Sequence, residues 1–288
     1  MTFRIRLLVA ATSILLAASG GTALAGEDLW AVTTSNNLIH FDSSNPWVFD
    51  SRPIGGLSAG DQILAIDFRP ANPLGRLYAL GSSGTIYAIL NPGSGAATAL
   101  APGALMLSGA DFGFDFNPTV DRIRIVSNAD QNLRANPNTG GLAATDSTIK
   151  HNSGPHFGVD PNATAAAYTN NIPMAMTTTL YVIDTGVDAL TIQSPPNNGR
   201  LNNVGSLGVN ASGVNGFDIS GITGVAYAAF DTGGSQSSLY TINLASGTAS
   251  ALGVIGCAEP IRGLSVDNDV PVGVESRTWG QVKSLLGR

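Results

Sequence analysis

Three arginines, Arg122, Arg124 and Arg134, stand with Asn132 inside residues 114–140, FDFNPTVDRIRIVSNADQNLRANPNTG, in a 288-residue chain of which only 12% is charged. A guanidinium keeps its charge and presents a planar fork of donors, so it binds carboxylates, phosphates and sugar hydroxyls through two bonds at once. Arg122, Arg124, Asn132 and Arg134 are therefore the candidate residues for an anionic or sugar ligand. The competing use of the same groups is internal. Asp111, Asp115 and Asp121 lie nearby in sequence, and arginine–carboxylate pairs would tie neighbouring strands together.

A second set is Asp67, Asp115, Asp160 and Asp218, which recur in similar surroundings at separations of 48, 45 and 58 residues. Four carboxylates converging on one axis would suit calcium, which takes six to eight oxygens. Alternatively, each aspartate accepts backbone N–H groups from an adjacent turn, a contact that a structural repeat would copy. Other chemistry has little to draw on. The sequence contains no G-x-S-x-G, H-E-x-x-H, Walker loop or G-x-G-x-x-G. Of the three histidines, His40 sits on an expected strand, and His151 and His156 form a loop pair without further zinc ligands. Cys257 has no partner for an internal disulfide and is expected to be a small buried side chain. The sequons at Asn162 and Asn210 are chance matches to a three-residue pattern.

Positioning these groups requires short strands. The chain has 43% hydrophobic residues, yet 35 glycines and 15 prolines interrupt it every few positions. It also repeats itself. IDFRPANPLGRLYALGSSGTIYAILNPGSG at residues 66–95 runs parallel to residues 114–140, with IDFRP against FDFNP, GRLYALGS against DRIRIVSN and YAILNPGSG against LRANPNTG. A third copy begins at Gly216 with GFDIS, VAYAAF and LYTINLASG. A looser fourth copy reads FGVDPN, TAAAYTN and TLYVIDTGVDALTIQ, with an insertion at residues 170–178.

About four strands per copy at this period predict propeller blades. The chain ends supply one more. DLWAVTT, NLIHFDS and WVFDSR read as second, third and fourth strands without a first, and IRGLSVD at residues 261–267 reads as a first strand without followers. The expectation is an all-β propeller of five four-stranded blades over residues 26–268, closed by its N- and C-terminal strands in one blade. Residues 193–210 leave room for an extra hairpin.

Residues 1–25 read as a secretory signal. Arg4 and Arg6 precede an apolar run, and Ala23-Leu24-Ala25 is an A-x-A cleavage signature. A secreted, periplasmic or cell-surface protein cut near Ala25 is expected, with no membrane span. Taking Arg4 and Arg6 from the 14 basic residues leaves 12 against 20 acidic ones, a formal charge of −8, which argues against nucleic acid as a partner. Residues 269–288 read as a linker and an amphipathic helix, since Trp279, Val282, Leu285 and Leu286 fall at helical spacing.

The Asp-Phe-Asn-Pro block, the Asp-Arg-Ile-Arg-Ile-Val-Ser strand and the Gln-Asn-Leu-Arg-x-Asn-x-x-Thr-Gly hairpin resemble the DUF4394 family of exported bacterial proteins of unknown function. The resemblance implies location and architecture and brings no catalytic residues with it. A non-catalytic protein that binds carbohydrate or protein at the cell envelope is the functional expectation. The rivals are a polysaccharide hydrolase or lyase and a surface protein that self-associates through its tail.

Overall fold

The computed structural model describes residues 26–71 and 76–268. The chain forms five sheets around one axis. Blade 1 contains β1 (Asp28–Thr33), β2 (Asn37–Asp42) and β3 (Phe49–Pro53). Blade 2 contains β4 (Ile63–Phe68), β5 (Leu77–Gly81), β6 (Ile86–Ile89) and β7 (Ala97–Ala99). Blade 3 contains β8 (Phe112–Asn117), β9 (Arg122–Ser127), β10 (Asn132–Ala135) and β11 (Leu142–Thr145). A two-residue strand, β12 (Lys150–His151), precedes blade 4, which contains β13 (Ala163–Tyr168), β14 (Leu180–Asp184), β15 (Ala189–Gln193) and β16 (Arg200–Ser206). Blade 5 contains β17 (Asn215–Ile219), β18 (Ala226–Phe230), β19 (Ser238–Ile242) and β20 (Ala249–Val254), and β21 (Ile261–Val266) returns to blade 1.

The closure is the one the chain ends predict. β21 is the inner strand of blade 1 and pairs antiparallel with β1, Leu29 opposite Val266 and Ala31 opposite Leu264. The first sheet is thereby completed by the last strand, and neither edge at the join is left open.

Most inner strands are apolar on both faces because each blade is packed between two others. Five buried clusters occur, one at every junction between neighbouring blades. Along β1, Trp30 and Val32 face blade 2, whereas Leu29 and Ala31 face blade 5. Each fully buried Leu, Ile or Phe is worth about 1.5–3 kcal/mol, so the junctions dominate the stability. The fourth strands lie outside and alternate less strictly, as in β11 and β20.

Two sequence expectations need correction. FGVDPN is not the first strand of blade 4. That strand is β13, ATAAAY, and Gly154–His156 is a 3-10 turn that leads toward it. Residues 193–210 hold no extra hairpin; a 3-10 turn at Pro196–Asn198 leads into the fourth strand, β16. The leader expected at residues 1–25 and the linker and helix expected at residues 269–288 lie outside the described residues. Among the described residues no helix is long and apolar enough to cross a membrane.

Candidate functional site

A pocket of about 420 Å3 opens between blades 3 and 4, lined by Asn117, Val120, Arg122, Arg124, Arg134 and Tyr168 together with residues 195–198. β9 sets its geometry. Residues two apart on a strand share a face, so Arg122 and Arg124 both reach the pocket, and Arg134, directly opposite Arg124 on β10, joins them.

Arg124 is only 2% exposed, and all its nitrogens are engaged. Nη1 donates to Asn132 Oδ1 (2.6 Å) and Asp146 Oδ2 (2.7 Å), Nη2 to Asn197 Oδ1 (2.7 Å) and Nε to the Tyr168 hydroxyl (3.4 Å). Asn197 and Tyr168 belong to blade 4, so this guanidinium joins the two blades. Asn132 is a buried support. Its Nδ2 donates to the carbonyls of Ser147 (2.9 Å) and Pro196 (3.0 Å), so it orients Arg124 and does not open onto the ligand space.

Arg134 grips Asp146 through Nε (2.8 Å) and Nη2 (2.9 Å) and remains one-third exposed. Burial would raise the Asp146 carboxyl, but the bonds from Arg134 and Arg124 outweigh it and hold the group below its ordinary value. Arg122 donates Nη1 to the Asp121 carbonyl (2.8 Å) and is half-buried. The wall thus carries three guanidinium groups, and Asp146 behind them offsets one charge.

The expected internal pairing exists with different partners. Asp146 holds Arg124 and Arg134, whereas Asp121 binds Arg69 across blades 2 and 3. Asp111 accepts from Asn128, and Asp115 turns to the axis. No feature near Asp146 in the sequence marks it, because it lies past the fourth strand and meets Arg124 only when blade 3 is folded.

The second site is on that axis. Asp67, Asp115 and Asp218 are buried and place carboxylate oxygens within 4.8 Å of one another. The register gives the equivalent position in every blade: Asp67 opposite Tyr78, Asp115 opposite Arg124, Ala167 opposite Tyr181, Asp218 opposite Tyr227 and Ser265 opposite Trp30. Asp160, expected in this ring, is an exposed loop residue near Asp130, and Ala167 takes its place.

Four of the five ring side chains serve the next blade. Asp67 Oδ2 accepts the Phe116 N–H (2.8 Å), Asp115 Oδ1 that of Tyr168 (3.1 Å), Asp218 Oδ2 that of Val266 (2.7 Å) and Ser265 Oγ that of Phe68 (3.1 Å). Ala167 has nothing to offer, and the Ile219 N–H turns to Asp218 Oδ1 in its own blade (2.6 Å). Two residues earlier on each inner strand stand Ala65, Gly113, Ala165, Gly216 and Gly263. A Cβ on Gly216 would lie 2.5 Å from the Leu264 nitrogen, so this layer must be small for the ring to close.

Five of the six carboxylate oxygens in the ring already accept a protein N–H or O–H, leaving Asp115 Oδ2 without a donor. Calcium needs six to eight oxygens. The donor set therefore fits protons held among the carboxylates better than it fits calcium. Burial, followed by the neighbouring carboxylates, pushes Asp67 and Asp115 well above the usual range, and burial pushes Asp218 up to about 7.

A family model described as "Domain of unknown function (DUF4394)" matches residues 37–265, nearly all of the propeller. The chain belongs to the DUF4394 family. No curated protein matches it. Among solved structures the DUF4394 chain is similar to the dihydro-heme d1 dehydrogenase NirN in complex with DHE, at 10% identity and a TM-score of 0.39, with 82% of this chain and 46% of that one covered. It is also similar to a protein from Lactobacillus plantarum (16% identity, TM-score 0.40, 80% and 67% covered) and to TolB from Acinetobacter baumannii (12%, 0.38, 80% and 53%). The DUF4394 chain spans less than half the length of the first of these and 67% and 53% of the other two.

In this DUF4394 protein the histidines have local roles. His40 contacts Asp28 (3.1 Å) and packs on Trp30. His151 is buried against Asp184 (2.7 Å), and His156 lies beside its ring. Among the described residues, the axial aspartates are the only group of three or more His, Cys, Asp or Glu side chains close enough to share an ion. Cys257 is half-buried, less enclosed than the sequence suggests, and burial pushes its thiol up.

Proposed function

We propose that this protein is a binding module working outside the cytoplasm, which holds the anionic group of a small ligand or glycan in the pocket between blades 3 and 4. An acidic sugar is the ligand class. The observation that carries the reading is that Arg122 and Arg134 reach a ligand-sized pocket while Asp146, behind them, is already bound on both oxygens. A uronate carboxylate would meet these two guanidiniums, and Val120, Pro195 and Pro196 supply apolar wall for the sugar ring.

Binding is favoured over hydrolysis by the placement of the carboxylates. Glycosidases need a pair flanking the scissile bond, about 5–10 Å apart. Here Asp146 is held by two arginines, and the axial aspartates are enclosed among inner strands. Export rests on the leader-like pattern of residues 1–25.

The test is calorimetric titration of the mature protein with oligogalacturonate and with a neutral oligosaccharide of equal length. Binding of the acidic oligomer alone, weakened about 10-fold or more by Arg122→Ala, is expected from loss of one charge-assisted bond. Equal binding of both oligomers, or an unaffected Arg122→Ala variant, would overturn the proposal.

A further inference from the structure

The turns between first and second strands all lie at one end of the propeller, and three of them carry exposed apolar side chains: Val120 lies in that of blade 3, beside the pocket, and the other two are the contiguous turns of blades 4 and 5. Ile172, Met174 and Met176 belong to the turn of blade 4, with the two methionines 89% and 96% exposed, and Ile222 is the tip of the blade 5 turn. The two turns touch. A Cβ on Gly221 would lie 2.2 Å from the Asn171 carbonyl and 3.1 Å from Ile172 Cγ2. An exposed apolar group of this kind marks a surface that something covers.

In blade 1 the corresponding turn is cut, because its inner strand is the last of the chain and its second strand is the first. The chain therefore leaves the propeller at this same end. Asn268 is fastened there, its Oδ1 accepting the Gly221 N–H at 2.7 Å. Twenty residues follow, of which 274–288 hold Trp279, Val282, Leu285 and Leu286 at helical spacing. Five linker residues reach about 17 Å, and fifteen residues as a helix span about 22 Å. The patch begins one residue from the point of exit.

Charge agrees with this placement. Residues 274–288 carry Arg277, Lys283 and Arg288 against Glu275. Beside the exit stand Glu27, which accepts from Ser220 and Thr223 of the blade 5 turn, and Asp28 and Asp42, paired in register on blade 1.

We infer that residues 274–288 dock as an amphipathic helix on this end of their own propeller, with Trp279, Val282, Leu285 and Leu286 covering Ile172, Met174, Met176 and Ile222. The patch and the tail complete each other, and the join of the chain ends lies beneath them.

Hydrogen exchange on the full mature chain and on one ending at Asp269 tests this, since the propeller is closed by Val266. Peptides covering residues 169–178 and 220–224 are expected to exchange at least threefold more slowly in the full chain. In full-length Ile222→Asp, peptides covering residues 274–288 should lose that protection while the melting temperature stays within a few degrees. Equal exchange in the two chains would overturn the inference. So would protection that appears only with a concentration-dependent doubling of mass, which would place the tail on a second copy.

Discussion

Ser265 donates its hydroxyl to Asp67 at 2.8 Å and accepts the Phe68 N–H at 3.1 Å, across the junction between the last strand of the chain and blade 2. One short side chain thus makes both contacts that carry the axial ring through the join. Where blades 2, 3 and 5 use a carboxylate, the closing blade uses a hydroxyl.

Ser265→Ala should accordingly cost about 1–3 kcal/mol, because it removes the buried hydroxyl that donates to Asp67 and accepts from Phe68. Urea unfolding against the parent measures this. A loss below about 0.5 kcal/mol would mean that the ring contributes little to closure.

The axial acids set a pH dependence whose sign follows from their raised values. In the unfolded chain they ionise from about pH 4 upward, whereas in the propeller Asp67 and Asp115 are held protonated well beyond that and Asp218 up to about 7. Between those limits the folded state binds more protons, so stability is full below about pH 4 and falls as pH rises towards 7. Asp146 runs the other way, its contribution present at neutral pH and lost only as pH falls below the ordinary carboxylate range. Melting curves should show highest stability near pH 4–5.

Asp115→Asn should flatten that slope and raise stability at pH 7, because a neutral side chain removes the burial and like-charge cost that pushes the Asp115 carboxyl well above the usual range. The amide oxygen still accepts from Tyr168, and its NH2 gives the axis a donor where Asp115 Oδ2 has none. Calcium is expected to leave the parent's melting temperature unchanged. A calcium-dependent rise abolished by Asp115→Asn would instead support the sequence-based reading of a cation on the axis.

Asp146→Ala removes the shared carboxylate of Arg124 and Arg134 and strands a guanidinium that is 2% exposed. A loss of about 3–5 kcal/mol is expected from an uncompensated buried charge, with anion binding at the pocket retained in whatever fraction stays folded. Chemical denaturation and titration with oligogalacturonate separate the two effects.

Gly216→Ala places a methyl against the backbone of β21, 2.5 Å from the Leu264 nitrogen. Overpacking at a site where backbone must move costs about 1–3 kcal/mol. Gly224→Ala is unsuitable as a control because Gly224 adopts φ of +74°, but Gly55→Ala meets nothing within 4 Å and should be close to neutral.

The repeat, the five blades and the sharing of blade 1 by both chain ends were all legible in the amino-acid order. Strand-sized apolar blocks separated by Gly and Asn turns are local signals, and a first strand missing at one end and surplus at the other is a matter of counting. Asp67, Asp115 and Asp218 were legible too, since the block small–x–Asp–apolar repeats as AIDF, GFDF and GFDI. Blade 4 was misaligned because FGVDPN contains an aspartate, whereas the true member, AAAY, has lost it; the layer of small residues two positions earlier is the signal that would have placed Ala167. Asp146 beside Arg124, and Asn197 beside the same guanidinium from 73 residues away, had no such signal. Strand periodicity settles which face a side chain occupies, but its partner across a junction depends on how neighbouring blades are rotated and spaced once the ring has closed.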